Sequence, residues 1–151
     1  MKKILSGALV MALIGCGSSR HLAGTWTVSG ADDPPGSTTT MTFANPNKLT
    51  MTFDMPISAN GLTAQVHADA WGTYVLDADS LALHFVDAQM TAKGLNPAQQ
   101  AAFEAGVQQQ KAAFLKGLNG ESKGRIVWTD NDHFVGSGSK SADKNFVRIK
   151  P

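Results

Sequence analysis

Cys16, the sole cysteine of the 151-residue chain, directly follows Leu13-Ile14-Gly15, and that placement gives its thiol a defined chemistry. Lys2 and Lys3 make a basic start, Ile4 to Ile14 an apolar run, and Leu13-Ile14-Gly15 a lipobox of the kind that precedes cleavage and lipidation of a cysteine with palmitate-type chains. A run of about 11 residues rises roughly 16 Å at 1.5 Å per residue, about half a bilayer core, so it is too short to span. An ordinary secretory signal would leave the position of the cysteine unexplained, and a redox role lacks a second cysteine to pair with. The expected organisation is therefore a signal peptide over 1–15 that is removed, a lipid-anchored tether over 16–22, and one domain over 23–151.

Other side chains that could do chemistry are sparse. His67 and His84 fall at outward positions on neighbouring expected strands, and Asp69, two residues from His67, shares its face, so a His-His-Asp metal site forms if the strand register allows. A solvated outer sheet face accounts for the same residues. Asp130-Asn131-Asp132 begins like a calcium loop, but Val135 and Ser141 stand where an EF-hand needs glycine and glutamate, which leaves a hairpin turn. Asp77 and Asp79 likewise read as turn residues rather than a catalytic carboxylate pair. No G-x-S-x-G elbow and no glycine-rich phosphate loop leading into a helix occurs, so no residue set nominates an enzyme, and neither a cofactor nor a catalytic residue is expected.

Charge narrows the partners. Thirteen Lys and Arg against 12 Asp and Glu give a formal +1; without Lys2 and Lys3 the count is 11 against 12, or −1. Such a chain offers no basic field for nucleic acid. Gly17, Ser18, Ser19 and Arg20 have little to bury and suit a tether.

The elements that must position these residues are mostly strands. From Leu62 to Leu76 even positions are apolar or small and odd ones mostly polar, as an antiparallel strand with one wet face requires. Leu49, Met51, Phe53 and Met55 alternate in the same way, as do Met41 and Phe43 among threonines. Asn45-Pro46-Asn47, Asn60-Gly61, Asp77-Ala78-Asp79 and Asp130-Asn131-Asp132 separate the runs at hairpin spacing. Eight strands are expected, over 24–30, 37–44, 48–56, 61–76, 80–91, 123–130, 133–138 and 144–150. One helix, about 97–118, is expected between strands five and six: Asn96 caps it, Pro97 takes the first helical position, Gln99 completes a capping box, and Phe103, Val107, Phe114 and Leu118 recur at helical spacing. Gly106 in its middle costs about 1 kcal/mol against alanine, which implies either a close contact or a helix that depends on docking.

Gly24-Thr25-Trp26 at the first strand, Trp71-Gly72-Thr73-Tyr74 followed by Leu76-Asp77-Ala78-Asp79-Ser80-Leu81, and the closing Asn145-Phe146-Val147-Arg148-Ile149 resemble small bacterial lipoproteins with a lipocalin-like β-meander (G-x-W and G-T-Y motifs). The resemblance implies an up-and-down antiparallel barrel or half-barrel, with Trp26 and Arg148 as a structural pair at its closed end. Lipocalins proper carry their main helix after the last strand, so an inserted helix marks a departure. Gly17 stands where lipoproteins retained at the inner membrane tend to carry aspartate, which by that resemblance favours the outer membrane of a Gram-negative host.

Met41, Phe43, Met51, Phe53, Met55, Tyr74, Leu83, Phe85 and Trp128 are expected to point inward, where they form either a filled core or the lining of a site for a small apolar ligand. Two functions follow: a lipid-anchored envelope protein that binds such a ligand, or a non-catalytic structural or interaction module with a filled barrel. Metal binding through His67, His84 and Asp69 is a third.

Overall fold

The computed structural model describes residues 20–59, 62–120, 123–138 and 142–151. The lipobox, Cys16 and the Asn60-Gly61 turn lie outside these. The chain forms β1 (Gly24–Gly30), β2 (Thr38–Ala44), β3 (Lys48–Ala59), β4 (Leu62–Asp77), β5 (Ser80–Lys93), α1 (Pro97–Gly120), β6 (Lys123–Trp128), β7 (His133–Gly138) and β8 (Lys144–Arg148). Every strand pairs antiparallel with its sequence neighbours, and β8 returns to β1, so the barrel is closed and the half-barrel alternative falls away. The helix lies between the fifth and sixth strands, as its capping signals indicate.

Alternation explains the strands. In β4, Ala64, Val66, Ala68, Ala70 and Tyr74 are buried, while Thr63, Gln65, Trp71, Thr73 and Val75 face solvent. The parity of β5 reverses midway: Leu81 and Phe85 point inward, then Ala88 does. A bulge at Val86 causes the reversal, because Gly72 pairs with Phe85 whereas Trp71 pairs with Asp87. Gly72 permits this kink, since a Cβ there would lie 1.8 Å from the His84 carbonyl oxygen.

Strand lengths are unequal, and that shapes the molecule. The last β2–β3 pair is Thr38 with Asp54, yet β3 continues to Ala59 against β4, so β3, β4 and β5 leave the barrel as a three-stranded ribbon. On its other side β5 pairs with β6 through only Ser80, Leu81 and Ala82. Beyond this short seam α1 takes over. Asn119 at its C-terminal end accepts from Phe85 N–H at 2.8 Å and donates to Phe85 O at 2.9 Å, satisfying a strand edge that β6 does not reach.

The capping box forms as its sequence indicates: Gln99 N–H donates to Asn96 Oδ1 and Asn96 N–H to Gln99 Oε1, both at 2.9 Å. One stripe of α1 is half-buried, including Phe103, Gly106, Val107, Lys111, Phe114, Leu115 and Leu118, and none of its residues is fully buried. Only Phe114, Leu115 and Leu118 pack against the main core. A Cβ at Gly106 would meet nothing within 4 Å, so the close-contact explanation of that glycine fails and the helix depends on docking.

Candidate functional site

The interior divides along the barrel axis. At the end where the chain enters, Trp26 is completely buried, its ring 4.8 Å from Phe134 and 5.9 Å from Trp128, both edge-on. Phe134 stacks on Phe146 at 4.3 Å and 11°, and Phe43 meets Tyr74 edge-on at 5.1 Å. These large flat side chains close one end as a floor. Phe43, Tyr74 and Trp128 thus belong to this filling and do not line the space enclosed above it, which corrects their assignment to a ligand lining. The reason is height: alternation puts a residue on the inner face but does not say how far along the axis it stands.

Arg148 seals the floor from below. Its guanidinium carbon lies 4.1 Å from the centroid of the Trp26 ring, and the two residues are direct partners across β1 and β8. Nη1–H donates to Ala23 O and Nη2–H to His21 O, each at 2.6 Å, while Trp26 Nε1–H donates to Leu22 O at 2.8 Å. The entering segment is therefore strapped across the floor through its own carbonyls. Gly24 belongs to the same unit: at φ +133°, a Cβ there would come within 2.5 Å of Arg148 Nη1. Glycine, tryptophan and arginine act together, and the sequence signal for the glycine was the G-x-W motif itself.

Toward the opposite end the barrel holds a cavity of about 510 Å³. Met41, Met51, Leu83 and Phe85 line it, together with Val28, Leu81, Ile126 and Phe146. Phe114, Gly117 and Leu118 of α1 form part of its wall, so the helix borders the space instead of plugging it. Gly124, Gly136 and Gly138 also border it; a Cβ at Gly124 would come within 2.5 Å of Ser137 O, and one at Gly136 within 3.0 Å of the Phe146 ring, so these two glycines let strand and ring approach closely. Phe53 and Met55 are half-buried but do not line it: Phe53 stands at the limit of β2 pairing and Met55 beyond it, on the ribbon. Asp33, Lys144, Thr39 and Ser137 bring polar groups to the mouth. A broader groove of about 800 Å³, more open to solvent, runs at the floor end between Arg20, His21, Leu22, Pro46, Val75 and Leu76.

The proposed metal constellation does not assemble. His67 pairs with Asp54 and Thr91, whereas His84 pairs with Thr73, six residues further along β4, or roughly 20 Å at 3.3 Å per residue. What does assemble around His67 is a set of carboxylates. Nδ1 lies 2.8 Å from Asp54 Oδ1, Nε2 lies 3.1 Å from Asp69 Oδ2, and Thr52 Oγ1–H donates to Asp69 Oδ1 at 2.8 Å. The hydrogen bond to Asp54 raises the His67 pKa above its ordinary value, against a smaller opposing effect of burial and with further help from Asp69. Asp54 escaped the sequence reading because only the β3–β4 register brings it across.

The turn carboxylates serve local structure. Asp79 pairs with Arg125, Asp130 Oδ1 accepts from Asp132 N–H at 2.7 Å, and Asp132 Oδ1 lies 3.2 Å from Arg148 Nε. No helix among the described residues is long and apolar enough to cross a membrane. No protein-family model matches the chain, and no curated protein matches it.

Proposed function

We propose that this chain is a lipid-anchored protein of the bacterial cell envelope whose lipocalin-like barrel binds a small apolar molecule without catalysing its conversion. The observation that carries the binding half is the cavity of about 510 Å³ walled by Met41, Met51, Leu83, Phe85, Phe114 and Leu118. That volume falls within the roughly 300–1,000 Å³ typical of ligand sites, and flexible methionines suit a pocket that adapts to its occupant. The anchoring half rests on the lipobox, in which Cys16 follows Leu13-Ile14-Gly15, and Gly17 favours the outer membrane where the host has one.

Each half has its own test. Native mass spectrometry of protein purified without detergent should reveal a retained apolar molecule, and Leu83→Trp, which puts a large side chain into the cavity, should reduce its occupancy while the barrel stays folded. An invariably empty protein that also takes up no apolar probe would leave the structural or interaction module as the better reading. For the anchor, Cys16→Ser should abolish lipid labelling and membrane fractionation; unchanged membrane association would refute it.

A further inference from the structure

The mouth of the cavity carries a charge arrangement that bears on what can enter. Lys144, on the inward face of β8, is the cation of the lining that faces the interior among the described residues. Its ammonium is already engaged: it donates to Asp33 Oδ1 at 2.6 Å and to Asp32 Oδ1. The β1–β2 connection that supplies both aspartates is itself fixed, because Asp33 Oδ2 accepts from Gly30 N–H at 2.6 Å. Arg125, the other cation of the lining, stands at an outward position of β6 and pairs with Asp79 at 2.5 Å.

One ammonium thus faces two carboxylates at the opening. The Lys144 hydrogen bond holds the Asp32 carboxyl below its usual range, so it stays ionised at neutral pH. Burial pulls the Lys144 pKa down, but the bonds to Asp32 and Asp33 outweigh it and leave the ammonium charged. A carboxylate or phosphate head arriving here meets a net negative charge and a lysine whose charge is already answered.

Resting on the ligand-binding reading above, we propose that this mouth selects against anionic heads, so that the bound molecule is apolar with an uncharged head. Asp32 and Asp33 set that preference by occupying Lys144. An uncharged hydroxyl loses nothing to the two carboxylates and finds Thr39, at an inward position of β2, nearby.

Calorimetric titration of the purified full chain with lauryl alcohol and with laurate, at low ionic strength, tests this. The alcohol should bind about tenfold more tightly, which corresponds to about 1.4 kcal/mol. In the double variant Asp32→Asn/Asp33→Asn, where the amide oxygen introduced at the second position can still accept from Gly30 N–H, laurate should gain at least that factor while the alcohol is unchanged. Lys144→Met should weaken laurate further and leave the alcohol as it was. Laurate binding as well as the alcohol to the unaltered protein, or a gap untouched by the double substitution, would overturn the proposal while leaving the cavity a binding site. Failure of both probes to bind would instead count against the ligand reading itself.

Discussion

At the floor of the barrel, Trp26, Trp128, Phe134 and Phe146 lie with successive ring centroids between 4.3 and 5.9 Å apart, whereas toward the mouth the same strands enclose about 510 Å³ of space. Within β6 and β7 the contrast is one of side-chain size: inward positions hold Trp128 and Phe134 at one end, and Gly124, Gly136 and Gly138 at the other. One sheet thus encloses both a packed core and open space. Aromatic rings fill the radius at one level; at the next, Met41, Met51, Leu83 and glycine positions border open space.

Truncation should separate the two ends most sharply. Phe134→Ala removes a ring that touches three others and should cost about 3–5 kcal/mol in denaturant unfolding, while Met41→Ala, beside existing space, should cost about 1 kcal/mol or less. Comparable losses at both positions would mean that the mouth is as tightly filled as the floor. Arg148→Lys comes next: a lysine cannot hold the carbonyls of His21 and Ala23 together, and the ring stack weakens, for a loss of about 1–2 kcal/mol with any uptake of an apolar probe unchanged.

Away from the floor, effects should be smaller and can change sign. Gly106→Ala should stabilise the protein by about 0.5–1 kcal/mol in thermal or denaturant melts, since nothing within 4 Å opposes the added methyl group. The smallest effect belongs to His67. Its raised folded-state pKa means that its pairing with Asp54 and Asp69 contributes fully below the ordinary histidine value of about 6.5 and is lost as pH climbs through the raised value. Relative to His67→Gln, the unaltered protein should therefore gain stability on acidification, by a few tenths of a kcal/mol given how exposed the pair is. A flat difference across that range would show that the ring is not charged there.

Period-two alternation identified the inward face of β3, of β4 and of β5 as far as Phe85, because one buried face and one wet face leave a direct imprint on residue type; beyond the Val86 bulge the inward parity of β5 changes. Met41, Met51, Leu83 and Phe85 were legible as inward residues for that reason. Alternation carries no information about height, so Phe43, Tyr74 and Trp128 could not be told apart from them. Their levels follow from barrel stagger, a property of pairing between strands. Register also decided the histidines: Asp54 and His67 are far apart in the chain but opposite each other across β3 and β4, while His84 shares a sheet with His67 and not its neighbourhood. Asn119 reads as the end of a helix and serves as the cap of a strand edge, a role that appears only once β6 is known to stop short.

The strap across the floor gives the barrel a direction. Residues 21–23 run beneath Trp26, clasped by Arg148, at the end of the barrel opposite the opening. The cavity therefore opens away from the strapped end, and its mouth and its base lie on opposite sides of the barrel.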